Sequence, residues 1–455
     1  MIAFLYSVAS FLLAISILVA VHEFGHYWVA KKLGVKVLKF SIGFGKPLWS
    51  KISGPDQTEY RLAAIPLGGY VQMLGENDPD APIDPSERHR AFDTQPIWKR
   101  SLIVVAGPAI NFLFAILLFM LLGLSAEERF APVFGNQSAQ SELGRAGVKS
   151  GDRLLSVDGR PAKFLSEHNL YIFNQVLSGE PLVFEIMTDT GLRVLEIPTE
   201  QIPIYNINPS SLVYQVGLLP RFEEASAELG MIVAGSPAEA AGLQVGDVIT
   251  AINQSEVNRW SDLTALIEPR IEEQVQIEVM RGDETLEFFA TTRLNDANGM
   301  RRGVLGIGRL PVSPLASDRM QIKRSLIETV EYGFVQTWQI TTVTVRMLWK
   351  MLSLQVSPKN VNGPITIADV AGQTIQINWQ AYVYFLAVIS ISLGIMNLLP
   401  IPMLDGGHLL TFGVEATAGR RASEVFYAAG QRVGIFLLLC LMSLAFYNDI
   451  FRLLN

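Results

Sequence analysis

The chain has 455 residues, enough for two or three domains, with a formal net charge of −7 and only 17% charged residues. The mean hydropathy is positive, and the basic residues are dispersed, which points away from nucleic acid and toward a membrane protein with a sizeable soluble part. One cysteine, Cys440, excludes a disulfide framework and leaves the redox compartment open.

The first uncharged run, 2–21, is long enough to cross a bilayer, and its helix is expected to continue to Ala30. It lacks a basic leader, so it is expected to be a retained span rather than a cleaved signal. The span ends in His22-Glu23-Phe24-Gly25-His26. Histidines four apart share one helix face and can reach one metal ion. Glu23 is spaced to take a proton from metal-bound water, the H-E-x-x-H pattern of zinc peptidases. At about 1.5 Å per residue the two imidazoles sit roughly 8–14 Å from Lys31 and Lys32, within the membrane.

The polar segment that follows carries Lys31, Lys32, Lys36 and Lys39 at one end and Lys99 and Arg100 at the other. Within it, 61–65 and 70–74 are strand-like and are expected to form a hairpin joined through Pro66, Gly68 and Gly69. That hairpin is apolar for a cytoplasmic loop, which suggests a re-entrant sheet edge beside the metal. The Asp- and Pro-rich stretch 77–96 is expected to be loop. A second span covers 101–126.

The region beyond it repeats itself. Residues 144–152 with 154–159 recur as 239–247 with 248–253, a spacing of about 95 residues. This A-G-L-x-x-G-D-x-I pattern resembles that of PDZ domains, whose groove accepts a peptide as an added β-strand. Each unit closes on a glycine among aliphatics, Val216-Gly217-Leu218-Leu219 and Leu305-Gly306-Ile307. Residues 324–355 place Leu326, Val330, Phe334, Trp338, Val345, Trp349 and Leu352 at helical spacing. Glu328, Glu331, Arg346 and Lys350 interrupt them, so an interfacial amphipathic helix is expected.

A third span, 380–404, ends in Asn397-Leu398-Leu399-Pro400-Ile401-Pro402-Met403-Leu404-Asp405-Gly406-Gly407, and a fourth, 433–447, is extendable by 422–430. Arg420, Arg421 and Arg432 lie on the short connection between them. Positive residues on short loops put 31–100 and 412–432 in the cytoplasm, and both termini and 127–370 outside. A tetrahedral zinc needs a third protein ligand. Asp405, a carboxylate too costly to leave unpaired beside an apolar span, is the favoured choice, with His408 as its rival. His89 and His168 have no metal-like neighbours.

H-E-x-x-H on a first span, N-x-x-P-x-P-x-L-D-G at the end of a third, and two PDZ-like units between resemble the site-2 protease family of intramembrane metalloproteases. The resemblance implies Zn²⁺ held by His22, His26 and Asp405, and Glu23 as the catalytic acid/base. It implies substrate contacts from Asn397 and from a membrane-associated β-hairpin around Gly68, Gly69, Tyr70 and Val71. Gly107, Pro108 and Asn111 match a family signature on the second span. The implied substrates are single-pass membrane proteins in a bilayer, an anti-sigma factor or remnant signal peptides, cut after another protease trims the outer domain. PDZ groove peptides are possible further partners; nucleic acid is not.

The expected fold is therefore an α-helical polytopic protein of the bacterial inner membrane with four transmembrane helices, a β-hairpin and two extracytoplasmic PDZ-like α+β domains. Its expected divisions are 1–126, 127–222, 223–312, a linker 313–379 and 380–455.

Overall fold

The computed structural model describes residues 2–76, 83–223, 226–295, 301–310 and 315–454. Residues 77–82, the start of the expected 77–96 loop, lie outside the described residues, as do 224–225, 296–300 and 311–314. Two compact units form. One comprises Met1–Ser125, Lys323–Leu348 and Pro358–Asn455; the other comprises Ala126–Ile322 and Trp349–Ser357.

The first unit is built from α1 (Ile2–Lys32), β1 (Val37–Ser53), β2 (Thr58–Met73), α2 (Ile97–Leu124), α3 (Leu326–Leu352, up to Leu348), α4 (Pro364–Ile377), α5 (Trp379–Leu398), α6 (Asp405–Ala418) and α7 (Arg420–Leu454). Among the described residues, four stretches are long and apolar enough to cross a membrane: Tyr6–Lys32, Ile97–Leu124, Trp379–Leu398 and Gly430–Arg452. Lipid tails are as apolar as leucine, so packing of small residues and polar ties hold such helices together. Here the Ser390 hydroxyl of α5 donates to the Asn111 carbonyl of α2 at 2.8 Å, and Tyr382 donates to the Ser10 carbonyl of α1 at 2.8 Å. Gly394 packs on Phe112.

The structure corrects one expectation, the pairing within the hairpin. The strand-like runs 61–65 and 70–74 do not pair with each other, and no turn separates them; 61–65 and 70–73 both lie within β2, which ends at Met73. Their common partner is β1, whose Lys39–Ile42 stretch has Gly69–Gln72 on one side and Glu59–Leu62 on the other. The hairpin turns at 54–57, where Gly54 and Gln57 take positive φ. Glycines in β1 concealed its strand character, because bends at Gly43 and Gly45 break the alternation. The helix expected over 324–355 is α3. Thr329, Gly333, Thr337 and Ile340 form a buried face, and Gly333 lies on Ile116 and Met120 of α2. Between the third and fourth spans the chain is helical, α6 meeting α7 at Gly419.

The second unit contains two four-stranded sheets with one topology. The strand order is Arg160–Pro161, Arg153–Val157, Leu182–Thr188, Gly191–Ile197 in one, and Ser255–Glu256, Val248–Ile252, Gln274–Arg281, Glu284–Thr291 in the other. Each has a helix between its second and third strands in sequence, Asn169–Ser178 and Trp260–Ile267. The repeated Gly-Asp pattern thus initiates the same strand twice. Arg319–Ile322, inside the expected linker, forms a strand paired with Glu127–Phe130.

Candidate metal centre

The site begins with an uninterrupted α1, which puts His22 and His26 on one face, their ring centroids 4.9 Å apart. α2 crosses α1 at this level, and the approach is close enough to demand glycine on both sides. A Cβ at Gly25 would collide with the Ala106 carbonyl, and one at Gly107 with both imidazoles. Pro400 and Pro402 cannot continue α5, so the chain turns and restarts as α6 at Asp405. A carboxylate in the first turn of a helix is stabilised by its unpaired N–H groups.

These three side chains meet. His22 Nε2 stands 3.2 Å from His26 Nε2 and 3.2 Å from Asp405 Oδ2, and His26 Nε2 stands 3.5 Å from that oxygen. Three ligands of a tetrahedral zinc, bonded at about 2.0–2.2 Å, would be separated by about 3.3–3.5 Å. Asp405 Oδ2 is buried and accepts no hydrogen bond, an expensive arrangement unless a cation takes it. Two imidazoles and one carboxylate therefore fit a divalent cation with one coordination position left over. Among the described residues, this is the one group of three His, Cys, Asp or Glu side chains close enough to share an ion. His408 lines the same cleft but is not in that group.

The cleft, about 680 Å³, is also lined by Glu23, Gly69, Tyr70, Val71, Glu76 and Asn397. The Val71 backbone N–H is directed at the Glu23 carboxylate, and Gly69 packs directly on Glu23 and Val19. Tyr70 stacks on Phe44, its ring centroid 6.3 Å away, and Gly68 is pressed against the same Phe44 ring. Val71 and Met73 are anchored in a core shared with Ala30, Val37, Ile103, Val104 and Phe412. The edge of β2 is thereby held against α1, α2 and α6.

A model of peptidase family M50 matches residues 10–441. The regulator of sigma-E protease RseP of Escherichia coli K12 is 34% identical over 464 residues, spanning the whole of both chains. Protease RseP of Yersinia pestis is 36% identical over 459 residues, again spanning both chains. The regulator of sigma E protease of Haemophilus influenzae is 34% identical over 455 residues, which cover 99% of this chain and all of the relative. The chain belongs to peptidase family M50, the site-2 proteases. It is a membrane metalloprotease.

In this site-2 protease, several neighbours of the centre escaped the sequence reading. The Ile103 carbonyl accepts from His26 Nδ1 at 2.8 Å; Asn111, which the second-span signature had marked without a role, lies against His22. Glu76 accepts from the Met73 N–H at 2.9 Å, and burial pushes its carboxyl up to about 7. Arg100 and Glu415 join α2 to α6. A backbone carbonyl leaves no mark in a sequence. Arg100 was visible only as a topology signal, and Glu76 stands one residue before the 77–96 loop, with no motif around it.

Proposed function

We propose that this chain is a zinc endopeptidase of the bacterial inner membrane that cuts peptide bonds within the membrane-spanning helices of single-pass proteins. The observation that carries the proposal is the triangle of His22, His26 and Asp405, with its unsatisfied carboxylate oxygen, on helices long and apolar enough to span. Bound there, zinc would lower the pKa of its water and polarise the scissile carbonyl. Glu23 takes the proton of the attacking water and delivers it to the leaving nitrogen. Its place beside the two histidines and under the Val71 N–H suits that role.

A helical substrate hides its carbonyls in its own hydrogen bonds, so it must be unwound and held extended. The Gly69–Val71 edge offers backbone groups for an added strand, and Asn397 offers a side-chain amide. The exposed Leu48, Trp49 and Ile52 on the far part of the hairpin suit contact with lipid.

In this reading both termini and 127–370 lie on the periplasmic side, and the site lies near the cytoplasmic face. The two repeated sheets are PDZ-like domains that screen out substrates whose outer domains are intact. Every proposed catalytic residue lies outside them, which supports a restraining role. Relatives named as regulators of sigma E support a role in sigma-factor regulation, in which a single-pass anti-sigma factor would be the substrate; remnant signal peptides have the same single-span chemistry. The test is Glu23→Gln in purified protein, with zinc content and cleavage measured together. Full zinc occupancy with cleavage reduced by about 10²–10⁴-fold supports the assignment; activity near that of the wild type refutes it.

A further inference from the structure

Both histidines are oriented from α2, but by partners of different chemistry. His26 Nδ1 lies 2.8 Å from the Ile103 carbonyl oxygen, which can only accept. His26 therefore keeps its proton on Nδ1 and turns a lone pair on Nε2 toward Asp405. His22 Nδ1 lies 3.2 Å from Nδ2 of Asn111, which can only donate. In that arrangement the His22 proton would sit on Nε2, the atom 3.2 Å from both His26 Nε2 and Asp405 Oδ2, and no lone pair would remain for a cation.

Asn111 is fully buried, and its Oδ1 has no hydrogen-bond partner. A half-turn of the amide exchanges its oxygen and nitrogen within the same outline. The oxygen then accepts from His22 Nδ1–H, and Nε2 is freed. The backbone at this residue is already fixed to α5 through the Ser390 hydroxyl.

We propose that Asn111 is the positioning residue for His22, presenting its Oδ1 to the Nδ1–H and so holding the imidazole in the tautomer that binds metal. The inference rests on the zinc reading above. Its general basis is that the outer hydrogen bond of a metal-ligating histidine fixes both tautomer and ring orientation. Asn111 and the Ile103 carbonyl, two turns apart on α2 with Gly107 between them, then act as one rail for the two ligands.

The experiment uses the full chain in detergent, stripped of metal and titrated with zinc against a chromophoric chelator. The visible spectrum of the cobalt-loaded protein is recorded in parallel. Asn111→Leu, of similar volume and without hydrogen bonds, should weaken zinc binding by about 10–100-fold and shift the cobalt bands. Asn111→Asp, an acceptor whichever way it turns, should bind within about threefold of the wild type. Wild-type affinity in Asn111→Leu, or an equal loss in both variants, overturns the role. If Asn111→Leu does not fold, Asn111→Asp decides alone, and a tenfold or greater loss there refutes the inference. A wild type that binds no zinc overturns the metal reading itself, and this inference with it.

Discussion

Arg100 and Glu415 meet at two points, Nη2 to Oε1 at 2.7 Å and Nη1 to Oε2 at 3.0 Å, with both side chains largely buried. The guanidinium also lies over the Phe412 ring, 4.8 Å from its centroid. This fork ties the base of α2 to α6, the helix that begins with Asp405. Removing one partner from a buried pair strands the other charge, at about 3–5 kcal/mol. Glu415→Gln and Arg100→Leu should each loosen α6 and lower zinc affinity by about tenfold or more, without touching a ligand. Chelator-competition titration measures this. Unchanged affinity in both variants would reduce the pair to a stability element.

Asp405→Ala should lose zinc outright, a larger effect than the roughly 10–100-fold expected for an outer-shell residue. His408→Ala should keep stoichiometric metal. Metal analysis of both purified variants decides between the two residues, and the reverse pattern would make His408 the ligand.

Val71→Pro removes the one backbone N–H that is directed at Glu23 and disturbs the β2 edge around it. Losing a buried donor costs about 1–3 kcal/mol, so cleavage should fall by about 5–150-fold while zinc binding is retained. The Glu23 component should affect all substrates alike. Spans containing Gly, Pro or Asn should suffer less than Leu-rich ones, because less unwinding must be offset by strand contacts. Cleavage rates on the two substrate types measure the two components separately. No loss on either would remove the β2 edge from the mechanism.

Glu127–Phe130 and Arg319–Ile322 form an antiparallel ladder in which Phe130 faces Arg319. The intervening 131–318 can therefore be replaced by a two-residue Asn-Gly turn, which suits the twist of such a hairpin. The shortened protein should bind zinc, cleave a pre-trimmed substrate and also cleave an untrimmed one. Paired digests of the two substrates test this. A folded, zinc-loaded variant that cleaves neither would contradict a filtering role for the two repeated sheets.

Read alone, the sequence determined what depends on near neighbours. Four-residue spacing puts His22 and His26 on one helix face whatever surrounds them, and runs of about 20 apolar residues mark spans because backbone groups in lipid must pair within their own helix. The 95-residue recurrence of Gly-Asp before an aliphatic strand announced two equivalent sheets. The tertiary structure decided what depends on residues distant along the chain. Alternation within 61–74 shows that the segment is extended, but nothing local names its partner, and β1 was hidden by its glycine bends. Spacing left Asp405 and His408 both open, since the choice rests on how the chain turns between α5 and α6 after its prolines. The orientation of the two imidazoles depends on a carbonyl and an amide of α2, 77 and 89 residues away, brought there because Gly25 and Gly107 let two helices touch.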